Sequence, residues 1–137
     1  MALAVTDALP GARILLVEDN AVNRLIATKL LEKRGHTVIA VENGQLAVDI
    51  TAAQHFDLVL MDVQMPVMDG LTATIRIRER ENATGTHLPI VAVTAHALDG
   101  DRARCLAAGM DDYLPKPIRT ADLFATIARL CPPAVAA

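Results

Sequence analysis

Aromatic residues are nearly absent from this chain of 137 residues, which has no Trp, one Tyr and two Phe. A flavin would find little to stack on. Val, Ile, Leu and Ala must fill the core, as they do in sheets covered by helices on both faces. Cysteine is equally scarce. Cys105 and Cys131 are too few and too unpatterned for a disulfide scaffold or a zinc site, and they read as reduced thiols of a cytoplasmic protein. No long basic run occurs and the net charge is −3, which argues against nucleic acid as a partner of this chain. No apolar stretch is long enough to span a bilayer, so no membrane contact is expected. The first residues lack the basic start of a signal peptide, and Asp7 and Pro10 interrupt their weak apolarity. Residues 1–11 read as a disordered lead-in, 12–131 as one domain, and 132–137 as a tail or the start of a linker.

What is present is organised around Leu58-Val-Leu-Met-Asp62 and the loop after it, through Pro66 to Gly70. The apolar run has the length of a buried strand, and it ends on a lone acid. A carboxylate there is costly to bury without a partner. Similar runs recur along the chain. Arg13–Val17 is a strand ending in Glu18 and Asp19, after which Asn20 caps a helix to about Arg34, with Val22, Leu25, Ile26, Lys29 and Leu30 at helical spacing. His36–Val41 is a second strand. Asn43 caps a helix with Leu46, Ala47, Ile50 and Ala53 on one face.

After Asp62, a third helix opens at Asp69 or Gly70 and runs to about Arg80, its charged end (Arg76, Arg78, Glu79, Arg80, Glu81) reading as a solvated face. Residues 82–87 read as a loop, Leu88–Val93 as a strand ending at Thr94, and Asp99–Ala108 as a weakly amphipathic helix stopped by Gly109. Asp112–Leu114 is a short strand, and Thr120 caps a last helix with Leu123, Phe124, Ile127 and Leu130 inward. Repeated strand–helix units with short loops imply an α/β fold, a doubly wound parallel sheet of flavodoxin-like strand order 2-1-3-4-5.

That order brings the ends of strands 1, 3, 4 and 5 together, and with them Glu18, Asp19, Asp62, Thr94 and Lys116. Taken singly, each has an ordinary reading: acids at a helix N-terminus, a turn Asp, a strand-end Thr, a loop Lys. Together on one rim they are improbable as coincidence. Clustered carboxylates repel unless a hard divalent cation joins them, and Mg²⁺ is the candidate. Such a rim suits phosphoryl transfer, because the transferred group needs its charge spread over a metal, a cation and hydrogen-bond donors. Asp62 is ionised at neutral pH and can attack without a general base. Lys116 and the Thr94 hydroxyl would hold phosphoryl oxygens, Ala95 would leave room, and the Gln64 carbonyl could complete the metal shell.

The stretches Ile14–Asn20, Leu60–Gly70, Pro89–Ala95 and Gly109–Pro117 resemble the receiver domain of two-component response regulators. The resemblance covers about Arg13 to Leu130. Asn20–Arg24 and Thr94–Ala97 are most similar to receivers of hybrid sensor histidine kinases. It implies Asp62 as phospho-acceptor and Glu18, Asp19, Asp62 and the Gln64 carbonyl as Mg²⁺ ligands. Thr94 becomes the switch hydroxyl, Tyr113 the aromatic that turns with it, and Lys116 the phosphate-binding lysine, with a cis Lys116–Pro117 bond. It also implies a sensor histidine kinase or histidine phosphotransfer protein as partner, docked by the first helix through Val22, Asn23 and Ile26.

Two other classes compete. A stand-alone aspartyl-phosphate enzyme would typically carry a second acid two residues after the nucleophile, where Gln64 stands. A nucleotide binder would need a glycine-rich phosphate loop, and neither common form occurs. The chain is therefore expected to catalyse only its own phosphorylation and dephosphorylation. His36, His55 and His87 fall at element boundaries away from the rim, whereas His96 lies two residues past Thr94. The cognate kinase, stimulus and output are not written in the sequence.

Overall fold

The computed structural model describes residues 11–65, 67–95 and 99–131, with the backbone alone at 99–101. The lead-in before Gly11, Pro66, His96 and the tail 132–137 lie outside the described residues. The elements alternate strictly: β1 (Arg13–Val17), α1 (Ala21–Lys33), β2 (Thr37–Val41), α2 (Gly44–Ala53), β3 (Leu58–Asp62), α3 (Gly70–Thr84), β4 (Ile90–Thr94), α4 (Asp99–Ala108), β5 (Asp112–Pro115) and α5 (Thr120–Leu130). All strand pairs are parallel, in the order β2-β1-β3-β4-β5.

Alternation along the strands divides the core between the two faces of the sheet. Leu15, Val17, Val59, Met61, Ile90 and Ala92 pack with Ala47 of α2, Ala73 and Ile77 of α3, and Cys105 of α4. Ile14, Leu16, Leu58, Leu60, Val91 and Val93 pack with Leu31 of α1 and with Leu123 and Ile127 of α5. β3 and β4 lie inside the sheet and are buried along their whole length, whereas the edge strand β2 is only partly covered.

Local signals explain the helix ends. Asn20, Asn43 and Asp69 accept from the backbone N–H three residues on, as N-caps do. Both α1 and α4 stop in Schellman turns: His36 N donates to Leu31 O and Gly35 N to Glu32 O, and Met110 N donates to Cys105 O and Gly109 N to Leu106 O.

Four expectations need correction. α3 runs to Thr84 and stops at Gly85, whose φ of +76° closes it, so half of the expected 82–87 loop is helical. Thr120 is the first helical residue and not the cap; Arg119 holds the cap position without a side-chain hydrogen bond. On α1 the apolar spacing does not mark the buried face, for Val22, Leu25 and Ile26 are exposed. The charged end of α3 is only in part a solvated face: Arg76 and Glu79 are exposed, but Arg78, Arg80 and Glu81 are not. Arg78 donates to Glu81, Asp111, Gly109 O and Leu88 O, and Glu81 is buried, accepting from Leu88 N. Arg80 reaches Val48 O and Thr51 on α2.

Candidate functional site

Parallel pairing aligns the strand ends. Asp62 stands beside Val93 and Thr94 beside Pro115, while Lys116 N donates to Thr94 O at 2.8 Å. Glu18 follows Val17 directly, and its N–H donates to Val41 O at 3.0 Å. Residues from four distant stretches of the sequence, Glu18 with Asp19, Asp62, Thr94 and Lys116, thus share the carboxyl edge of one sheet. Asp62 is 4% exposed, Glu18 5% and Thr94 1%, while Asp19 is exposed.

The side chains converge. One oxygen from each of Glu18, Asp19 and Asp62 lies within 4.8 Å of the others. Lys116 Nζ donates to Asp62 Oδ2 at 2.9 Å and lies 3.2 Å from Glu18 Oε1. Burial alone would lower the Lys116 pKa. The hydrogen bond to Asp62 and the charges of Asp62 and Glu18 outweigh that, so it is raised and the ammonium persists at neutral pH. Gln64 N donates to Asp62 Oδ1 at 3.2 Å, which folds the loop back over the acid and sets the Gln64 peptide beside it.

One ammonium against three carboxylates leaves net negative charge on a partly buried spot. Hard oxygen donors and unbalanced charge fit a divalent cation of the Mg²⁺ type. Thr94 and Tyr113 lie on the sheet face covered by α2, α3 and α4, one row apart: Tyr113 pairs with Ala92, two residues before Thr94, and packs against that core. The guanidinium of Arg102 on α4 sits 5.3 Å from the Tyr113 ring centroid.

Glu18, Asp19, Asp62, Thr94 and Lys116 are brought to this edge, with the Gln64 N–H on Asp62 and Tyr113 one row behind Thr94. Sequence reasoning missed Arg24, which donates to the Glu18 carbonyl at 2.9 Å. An Arg on the first turn of the helix after two acids was the available signal. A cavity of about 410 Å³ opens beside the site between α1 and α5, with Glu18 and Lys116 at its wall and Ile26, Leu30, Ile118 and Leu123 lining it. The remaining histidines serve locally. His36 Nδ1 accepts from Ala12 N, while His55 and His87 pair with Asp57 and Asp111. Neither thiol is placed for chemistry: Cys105 is buried, and burial with the nearby Asp57 charge pushes Cys131 up to about 11.

Comparison with known proteins agrees with this geometry. Residues 14–128 match the family model of the response regulator receiver domain. The chain is 51% identical over 107 residues to sensor histidine kinase GacS of Pseudomonas protegens, covering 77% of this chain and 12% of that protein. It is 42% identical over 158 residues to histidine kinase 1 of Arabidopsis thaliana, covering 91% of this chain and 13% of that protein. It therefore spans a small part of the length of these relatives.

Among solved structures, it is similar to the receiver domain of a sensor histidine kinase from Pseudomonas aeruginosa, which holds a magnesium ion in its active-site cleft. The TM-score is 0.80 and the identity 46%, over 88% of this chain and 97% of that one. The receiver domain of Saccharomyces cerevisiae Ssk1, crystallised with the histidine phosphotransfer signaling protein Ypd1, gives a TM-score of 0.83 at 33% identity, over 90% of each chain. Fold, site and sequence coincide: this chain belongs to the family of response regulator receiver domains.

Proposed function

We propose that this chain is the phospho-acceptor of a two-component system or phosphorelay, and that Asp62 carries the phosphoryl group. The observation that carries the reading is the Lys116 ammonium, held against Asp62 and Glu18 where three carboxylates meet. An oxygen of Asp62 attacks the phosphorus of a phosphohistidine. The P–N bond breaks, its electron pair stays on the imidazole nitrogen, and an acyl phosphate forms. Lys116 and the Thr94 hydroxyl each take a phosphoryl oxygen. Glu18, Asp19, Asp62 and the Gln64 carbonyl would hold Mg²⁺, which when bound supplies positive charge to the transferred oxygens. Water later attacks the phosphorus and returns free Asp62 and inorganic phosphate. In this reading the chain catalyses only its own phosphorylation and dephosphorylation, in the cytoplasm.

The new charge on Asp62 draws Thr94 toward it. The space vacated lets Tyr113 turn inward and reshapes the face made by α4, β5 and α5. The partner is a sensor histidine kinase or a histidine phosphotransfer protein. Exposed Val22 (64%) and Ile26 (54%) on α1 offer it an apolar surface beside the site, with Asn23 between them. The test is Asp62→Asn. Wild type incubated with acetyl phosphate and Mg²⁺ gains one phosphoryl group by intact mass, and the variant gains none. Uptake by the variant at the wild-type level contradicts the assignment.

A further inference from the structure

The acids of the β1–α1 turn differ in how they are held. Glu18 is buried, lies against Lys116, and accepts from Asn20 N through Oε2 at 3.0 Å. Asp19 is exposed, so the backbone path of the turn largely decides where its carboxylate points. That path is gripped by Arg24, one turn into α1. Its Nη1 donates to Glu18 O at 2.9 Å and lies 3.5 Å from Asp19 O. The helix fixes the base of this arm, since Arg24 N donates to Asn20 O at 2.9 Å and Asn20 Oδ1 caps Asn23 N at 2.9 Å. One guanidinium nitrogen thus lies within reach of two successive carbonyls, at the end of a side chain long enough to turn back from α1 over the turn.

We propose that Arg24 is a positioning residue for the cation site: by holding the Glu18 and Asp19 carbonyls it keeps the Asp19 carboxylate in register with Asp62 and Glu18. The inference rests on reading that acidic cluster as the Mg²⁺ site. Two effects of removing Arg24 have opposite signs, which makes the inference decidable. Loss of a positive charge beside a cation site tightens metal binding by simple Coulomb attraction. Loss of an outer-shell support weakens it, by about tenfold or more in metal sites generally. Positioning therefore predicts weaker binding and charge alone predicts tighter binding.

The experiment titrates Mg²⁺ into the folded chain by calorimetry. Arg24→Met raises the Kd by about tenfold. Arg24→Lys, which keeps the charge and one donor, loses less. With acetyl phosphate as donor, Arg24→Met needs more Mg²⁺ for half-maximal phosphorylation, yet at saturating Mg²⁺ its rate returns to within about twofold of wild type, because the loss is one of binding and not of chemistry. A Kd for Arg24→Met equal to or tighter than wild type overturns the proposal, as does a rate loss that no Mg²⁺ concentration restores. If Arg24→Met does not fold, Arg24→Gln, uncharged and too short to hold both carbonyls, replaces it, and a Kd equal to or tighter than wild type overturns the proposal. A wild-type chain that takes up no Mg²⁺ overturns this inference together with the proposed function. A wild type that binds, beside an Arg24→Met variant that binds equally well, overturns only this one.

Discussion

Burying Glu18 and Asp62 is tolerable because Lys116 reaches both, and a buried carboxylate stripped of such a partner is costly. Another partly buried titratable group, His36, makes its own demand on pH. Its Nδ1 accepts from Ala12 N at 2.9 Å, and burial, then the Arg34 charge, lower its pKa below the ordinary 6.5. The folded chain therefore resists a proton that the unfolded chain accepts. Stability from this group is fully present above 6.5 and is lost as pH falls through 6.5 toward the lowered native value. Urea midpoints at about pH 7.5 and about pH 5.5 should show a larger acid loss in wild type than in His36→Asn. Equal losses would mean that His36 is not held neutral.

At the scale of elements, the loop from β3 to α3 presses on the acid that it follows. A Cβ on Gly70 would lie 2.3 Å from Asp62 O and 2.9 Å from Met61 Cγ, so Gly70→Ala displaces either the helix start or Asp62 itself. It should lower both the melting midpoint and phosphoryl uptake, and unchanged uptake in a fully folded variant would show that the loop can give. Val67 in the same loop has φ +69°, an unfavourable region for a β-branched side chain, and is 81% exposed. Val67→Gly should stabilise the chain by about 1 kcal/mol in chemical denaturation, and destabilisation would contradict the strain.

Elements also show which parts of the fold were legible. Asn20, Asn43 and Asp69 announce helix starts because capping is local chemistry. Apolar spacing alone could not say that Val22, Leu25 and Ile26 stay exposed, because which stripe of α1 meets the sheet depends on how the helix crosses it. Nor could charge pattern reveal Arg78, whose partners Gly109 and Asp111 come from the far side of α4. The site itself was readable because its residues sit at strand ends, where topology alone brings them together. Arg24 was not singled out: its place one turn after two acids was the available signal, but its partners are backbone carbonyls, which carry no residue signature of their own.

At the scale of the whole described chain, a sheet is clamped between two helical layers and three carboxylates meet at one of its edges. A ligand that settles their repulsion binds the folded chain and not the unfolded one. Mg²⁺ at ten times its Kd should therefore stabilise by about 1.4 kcal/mol, a rise of several degrees in melting midpoint for a chain of this size. Identical midpoints with and without Mg²⁺ would remove the acidic edge as a metal site. The most direct test of the central claim is chemical trapping of the acyl phosphate. Wild-type chain is incubated with acetyl phosphate and Mg²⁺ and quenched with borohydride, which reduces an aspartyl phosphate to homoserine, and the product is mapped by peptide sequencing. Homoserine at position 62, present with Mg²⁺ and absent without it, is the predicted result; homoserine at another acid, or at none, would contradict it.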